Sequence, residues 1–465
     1  MIRSKNVLLA GILLSSQYAI AEVEFNEHVM PLIESNCVTC HSEEGVSFSF
    51  EDPDVTYNFR MAIASAVKDD RMPPWLAEPG HENYVDDYSL TSEQKALVAE
   101  WAAAGFPRDE TKSRVSVAVD QQIFEADITM AALRDAAYLP DQENKDDYRC
   151  FIVDWPYEED KYVTGFLAEP GNLRVAHHLV AHMIAPESVE FIKMLSEEEE
   201  GPGHQCFGGP LPDRMGDKAV KDEIEKRYPG EWEKLTENNY WLSHWAPGMY
   251  GIEFPEDTGI LMRPGSAVVV QMHYYSAFAP GETDIGTMMQ FQVADEVKKP
   301  SINHPLTKGK WLFGKNNESM LIEAGGEATY EVSEDFSRIA NYTAQVLGIE
   351  REEIAAIELQ SANVHMHAFG ASGSTSLLDS DGEKHTLLNI PNWDLDWQRD
   401  FMFTEGKIIS SDDFDRTQLI VECNFSNYTN ETVYGGYGSD DEMCFNFSYM
   451  SVILSDDEGA AVADD

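Results

Sequence analysis

From about Val115 onward the chain is a succession of β-branched and aromatic runs separated by Gly, Pro, Asn and Asp. They include "LRVAHHLVAHMIA", "SAVVVQMHYYS", "GTMMQFQV", "EIAAIELQSANVHMHAFG", "TQLIVECNF" and "CFNFSYMSVIL". Short runs of this kind, with few sustained helical periods between them, restrict this part of the chain to an all-β fold of sandwich type. A polar stretch of mixed charge, "DKAVKDEIEKRYPGEWEKL", has helical texture and reads as an insertion. "VKKPSINHP", near Lys298, reads as a linker between two β domains. No internal repeat of short period is present.

The N-terminal part has a different texture. "MIRSKNVLLAGILLSSQYAIAEVEF" carries Arg3 and Lys5, a short apolar core from Val7 to Leu14, and Ala19-Ile20-Ala21 ahead of Glu22. This is the pattern of an export signal, and it is too short to span a bilayer. No later segment has the ~18 apolar residues that a membrane span needs. The expected location is therefore periplasmic or secreted.

"CVTCH", from Cys37 to His41, is the C-x-x-C-H signature of covalent c-type haem attachment. In that reading the two thiols bond the porphyrin and His41 becomes an axial iron ligand; a redox C-x-x-C or half a zinc site is the competing reading. An amphipathic stretch "FNEHVMPLIESN", a helix candidate over 57–67 and "TSEQKALVAEWAAAG" flank it, the last with Thr91 and Gln94 spaced as a capping box and Gly105 as its stop. These features predict a small all-α unit of cytochrome c type. In "RMPPW", Met72 is the expected second axial ligand, with Met61, Met30 and His81 as rivals, and a thioether there raises the haem potential.

A formal net charge of −50, from 83 acidic and 33 basic residues in 465, argues against nucleic acid or an anionic membrane as a partner. The acidic residues are dispersed, with small runs at 197–200 and in the tail, as on a solvated surface. The six cysteines are Cys37, Cys40, Cys150, Cys206, Cys423 and Cys444. An exported chain normally pairs such a set, apart from the two in the haem motif.

Histidines are concentrated in the β runs. His177 and His178 lie in one strand candidate, His273 in another, and His365 with His367 in a third, within "SANVHMHAFG". On a strand His365 and His367 share a face, and each lies in an apolar context where an isolated charged imidazole is costly. Imidazole suits Zn, Cu, Fe and Ni, and an added thioether selects Cu(I). "SDDEMCFNFSYM" offers Met443 beside Cys444, and a bridge from Cys444 to Cys423 in the preceding strand would hold the methionine in place.

In order along the chain, "VAHHLVAHM", "VVQMHYY", "NVHMHAFG" and "SDDEMCFNF" resemble the copper type II, ascorbate-dependent monooxygenases. That is the family of peptidylglycine α-hydroxylating and dopamine β-monooxygenase. The likeness runs from about Tyr148 to Leu454 and leaves the haem motif outside it. It implies two jelly-roll-like β domains facing each other across a solvent-filled cleft, with one copper ion in each. His177, His178 and His273 match the ligands of the electron-storing copper. His365, His367 and Met443 match those of the copper that meets O2 and substrate. Consecutive strand residues point to opposite faces, so His177 and His178 can share a metal only at a strand end, a bulge or a strong twist. His182, on the face of His178, is the rival ligand. Cys150 and Cys206 are available for a second disulfide.

The expected division is an export signal at 1–21, a haem unit at 22–112, β domains at 113–300 and 301–455, and an acidic tail at 456–465. The expected fold class is thus multidomain, a small all-α cytochrome c domain followed by two all-β jelly-roll-like sandwich domains. The expected cofactors are two copper ions and one covalent haem c. The expected partners are O2, a small-molecule substrate and an electron donor, either ascorbate or a redox protein. Where the peptide-amidating members grip a carboxylate with Arg, Asn and Tyr, this chain has Asn363, Phe445 and Phe447. A carboxylate would lose its charge partner there, so the expected substrate is neutral. The alternatives are a non-catalytic electron-transfer or copper-binding protein, and a zinc hydrolase. The absence of H-E-x-x-H counts against the hydrolase.

Overall fold

The computed structural model describes residues 23–455 apart from 39, 43–47, 86, 112–123, 134–135, 207–208, 212–217, 247–248, 250, 313–317 and 439. The expected export signal at 1–21 and the expected acidic tail at 456–465 lie outside the described residues. The described residues fall into two compact units. One draws on 1–74 and 88–121, the other on 75–87 and 122–465.

In the first unit a π-helical turn, Phe25–Val29, runs into the helix Met30–Asn36, and the CVTCH segment turns directly after it. Pro53–Asn58 and Arg60–Lys68 are two short helices where a single one was expected over 57–67. Ser92–Ala103 starts at the expected capping box. The Thr91 hydroxyl accepts from Gln94 N–H, and the Gln94 side chain accepts from Thr91 N–H. Phe25 stacks on Trp101 at 5.6 Å, and Tyr57 packs edge-on to Phe25.

The second unit is a β-sandwich built on one long sheet. Its strands run in the order Ile128–Ala131, Met288–Ala294, Lys161–Glu169, Thr258–Met262, Lys299–Leu306, Asn446–Leu454, Ile354–Ala362 and Phe401–Ser410. A five-stranded sheet (His204–Gln205, Asp146–Asp154, Ala267–Tyr275, Ala176–Ile184, Asn239–Trp245) packs on its first half. A four-stranded sheet (Glu327–Asp335, Gln418–Ser426, Gly370–Leu378, Lys384–Ile390) packs on its second. Val268, Val270 and Met272 meet Val163, Phe166 and Phe291 in the first core. Val421 and Leu388 meet Ile357, Leu359 and Met450 in the second.

Two expectations are corrected. "VKKPSINHP" is no linker, because Lys299–Leu306 is an interior strand of the long sheet. It pairs in parallel with Thr258–Met262 and antiparallel with Asn446–Leu454. Ser301, Ile302, Asn303 and His304 are all buried, as in an interior strand covered on both faces, and its polar residues with the two prolines masked that burial.

The fold class, a small all-α cytochrome c domain ahead of two all-β domains, is also overturned. The chain is mostly β-sandwich, and four of the eight α-helices among the described residues (Pro186–Glu197, Lys218–Arg227, Glu231–Glu237, Phe336–Leu347) belong to its β part. The N-terminal helices close no separate all-α domain, since residues 75–87 leave them and belong to the β unit. That segment has aromatic side chains to bury and a sheet edge to bury them on. Trp75 and Tyr84 pack on Phe401, Tyr84 bridges to Phe403, and Lys407 pairs with Glu82. The outer strand Phe401–Ser410 is covered in this way along its free edge.

No helix among the described residues is long and apolar enough to cross a membrane. Cys150 is bonded to Cys206 and Cys423 to Cys444, which leaves Cys37 and Cys40 as free thiols.

Candidate metal centre

His177, His178 and His273 come together on neighbouring strands. Each offers a ring nitrogen, and the three nitrogens lie within 4.8 Å of one another. A bulge solves the alternation problem. His273 pairs with His178 and Tyr274 pairs with Ala176, so His177 is the extra residue and its side chain swings to the face of its neighbour. The Nδ1 atoms of His177 and His178 are 3.1 Å apart. His273 donates from Nε2 to Asp146 Oδ1 at 2.9 Å, and its buried Nδ1 has no hydrogen-bond partner. A carboxylate on one ring nitrogen leaves the other as a lone pair, which is the arrangement of a metal-binding imidazole.

His365 and His367 occupy an extended stretch beyond the end of Ile354–Ala362 and not a full strand. A single bridge holds them, in which His365 and Phe445 exchange both backbone hydrogen bonds. Continued by two residues, that register sets His367 opposite Met443. His365 donates from Nδ1 to Gln398 Oε1, and His367 donates from Nδ1 to the Asp441 carbonyl at 3.0 Å, which leaves Nε2 of each ring as the acceptor. The buried Glu442 carboxylate accepts from the N–H groups of His367 (2.9 Å) and Met443 (3.2 Å), and also from that of Phe369. It thereby ties the methionine loop to the histidine loop. The Cys423–Cys444 bridge anchors the same loop to the four-stranded sheet.

Burial is the chief cause that lowers the basicity of these rings. It takes His273 and His367 to about 4 and His365 to about 3, and the neighbouring histidines add to the effect on His365. His178 is also held well below the ordinary histidine value, by burial and then by His273 and His177. At neutral pH all four are neutral imidazoles, the form that binds metal.

One cavity of about 240 Å³ is lined by His178 of the first set and by His365, His367 and Met443 of the second. Among the described residues, no lysine, arginine, aspartate or glutamate lines it. Asn363, Phe445 and Phe447 all border it. Trp241, Phe447 and Phe445 form a stack with centroid spacings of 4.0 and 4.6 Å. His182 stands four residues along the strand from His178, outside the cluster of three, and borders the same cavity. His244, on Asn239–Trp245, also faces the cavity, with Nε2 3.6 Å from Asp400. Sequence reasoning missed His244, Asp400 and Gln398, since no motif spacing links them to the histidine pairs.

In the first unit, Cys37, Cys40 and His41 share one turn, where His41 N–H donates to the Cys37 carbonyl at 2.9 Å. His41 donates from Nδ1 to the Phe48 carbonyl at 3.0 Å and stacks on Phe50, which leaves Nε2 as its acceptor. Burial pushes the Cys37 thiol up to about 12. Met72 is half-buried in the turn after Arg60–Lys68, while its rival Met61 is 70% exposed.

Residues 341–453 match the family model of the C-terminal domain of the copper type II ascorbate-dependent monooxygenases. His365, His367 and Met443 all fall within that stretch. No curated protein matches the chain. Among solved structures, the major capsid protein P2 of bacteriophage PM2 is 8% identical, with 70% of this chain and 98% of that one covered at a TM-score of 0.25. A peptide-N(4)-(N-acetyl-β-D-glucosaminyl) asparagine amidase is 6% identical, with 70% and 96% covered at 0.27. Likenesses this loose bear on neither fold nor function.

Proposed function

We propose that the chain is a copper-dependent monooxygenase that hydroxylates a C–H bond of a small, uncharged organic molecule, and that its electrons arrive through a haem attached at Cys37 and Cys40. The observation that carries this reading is one cavity bordered by His178 of the first set and by all three residues of the second, which lie inside the stretch that matches the family model. In this reading His177, His178 and His273 hold the copper that stores an electron. His365, His367 and Met443 hold the copper at which O2 and substrate meet.

Copper bound there supplies one-electron redox chemistry and the activation of O2. Overall, substrate R–H, O2, two electrons and two protons give R–OH and water. The chain's own groups prepare the site. Asp146, Gln398 and the Asp441 carbonyl each hold a ring proton in place, so that the opposite nitrogen stays a lone pair. The stack of Trp241, Phe447 and Phe445 excludes water from one wall. Asn363, which takes the place of a cation, leaves a carboxylate no charge partner. For the haem, Cys37 and Cys40 would attach it, and His41 and Met72 would hold its iron. The two disulfides and the family's ascorbate dependence fit a secreted enzyme whose donor is ascorbate or a redox protein.

Copper, zinc and iron per chain test the reading, together with covalent haem and oxygen-dependent product formation. About two coppers per haem, with product formed only under O2, is the expected result. Zinc retained in preference to copper, or iron alone, would overturn it.

A further inference from the structure

Two imidazoles border the cavity without belonging to either set of three. His182 is 5% exposed, and neither of its ring nitrogens makes a hydrogen bond of ordinary geometry; the nearby Asn239 amide only tends to favour a ring proton. A buried polar group left open in this way is costly unless something else fills its bonding capacity. His244 sits on the adjacent strand, close to Phe447. Asp400 stands behind it, held in turn by Asn363 Nδ2 at 2.9 Å. Asn363, 3% exposed, leaves its own Oδ1 without a partner. The cavity therefore joins a stacked aromatic wall to a small group of polar atoms, with no lysine, arginine, aspartate or glutamate among its described lining residues. Its volume, about 240 Å³, is below the range of about 300–1,000 Å³ typical of sites for larger ligands.

We propose that this cavity recognises an uncharged aromatic alcohol or carbonyl compound. His182 and His244 bind its oxygen, and the Trp241–Phe447–Phe445 stack bears its ring. His182 and His244 are specificity-determining residues, and Asp400 is a positioning residue that acts through His244. His182, kept neutral by its burial, both donates and accepts, so it suits a hydroxyl or a carbonyl, and His244 adds a second imidazole beside it. The ring binds beside the stack through edge and face contacts. An anion finds no lysine or arginine among the described lining residues. A cation finds no carboxylate among them, and Asp400 behind them already accepts from Asn363.

The proposal rests on the monooxygenase reading only for the fate of the bound molecule, so binding is measured apart from turnover. Titration calorimetry on the full chain, copper-loaded and copper-stripped, would compare toluene, benzyl alcohol, benzoate and benzylammonium. Benzyl alcohol is expected to bind about tenfold more tightly than toluene, and more tightly than either ion. His244→Phe and His182→Leu should each erase most of that preference and leave toluene affinity unchanged, which also shows that the variant is folded. His244→Gln should restore part of the preference, and Asp400→Asn should weaken it without altering toluene binding. Equal affinity for toluene and benzyl alcohol, tighter binding of benzoate or benzylammonium, or no binding of any probe would overturn the proposal. Binding as expected with no oxygen-dependent product would remove the monooxygenase reading and leave the recognition site standing. Product formation from another substrate, with none of these probes bound, would do the reverse.

Discussion

At the scale of the residue, the site depends on which nitrogen of each histidine is left free. Asp146 fixes that choice for His273 through a bond of 2.9 Å. Asp146→Asn should lower copper affinity at the first site by about 10- to 100-fold, the usual cost of losing such a partner, and leave the second site loaded. Competitive chelator titration would read both, and unchanged affinity would remove Asp146 from the design. Proton binding gives a second expectation. His182, His273 and His367 have values near 4 and His365 near 3 in the folded chain, below the ordinary 6.5. Once the pH falls below about 6.5 the unfolded chain takes up protons that these folded rings refuse. Their stabilising contribution is thus present above 6.5 and is lost as pH falls through 4. Glu442, raised to about 7 by burial, runs the other way, with stability present below 4.5 and lost as pH rises through 7; burial raises Asp400 and Asp441 as well, and it lowers His178 and His204 alongside the four rings above. The urea midpoint of copper-free protein should therefore be lower at pH 5 than at pH 7; an equal or higher midpoint would contradict these assignments.

At the scale of the element, Met443 is held by a loop with two fastenings, the Glu442 carboxylate and the Cys423–Cys444 bridge. Replacing both cysteines with serine should cost about 2–4 kcal/mol of stability and loosen the methionine against its two histidines. The checks are a denaturation curve and the sulfur signal in copper X-ray absorption. A full-strength sulfur signal in the double variant would show that Glu442 suffices. Elements also show where sequence reading succeeded. The runs around His178, His273 and Met450 are strands close to where the β-branched pattern sets them, and Thr91 with Gln94 marks a helix start. It failed where local composition and tertiary use diverge. Pro300 and Pro305 made an interior strand look like a linker, and "HMH" lies in extended backbone held by one bridge where a strand was expected.

At the scale of the whole molecule, CVTCH and the histidine sets stand in one chain, and under the proposed hydroxylation the electron requirement would give that a use. With dithionite-reduced haem, copper-loaded protein mixed with O2 and substrate should reoxidise faster than copper-free protein. Stopped-flow absorbance would follow it, and equal rates would detach the haem from the reaction. The residues of the candidate site were largely visible in the sequence, because ligand chemistry restricts them to a few types: Cys37, Cys40 and His41 by a local motif, and the five histidines by their apolar surroundings. Three things were decided only by the tertiary structure. The bulge at His177 depends on how Ala267–Tyr275 pairs with its neighbour. The packing of Trp75 and Tyr84 on a sheet edge, which leaves no separate all-α domain, depends on where Phe401 and Phe403 lie. The meeting of His244 with Asp400 joins residues far apart in the chain. Sequence carries the chemistry of each side chain and the periodicity of its own segment. Which distant segments share a register or a cavity wall is settled by packing, and no local pattern encodes it.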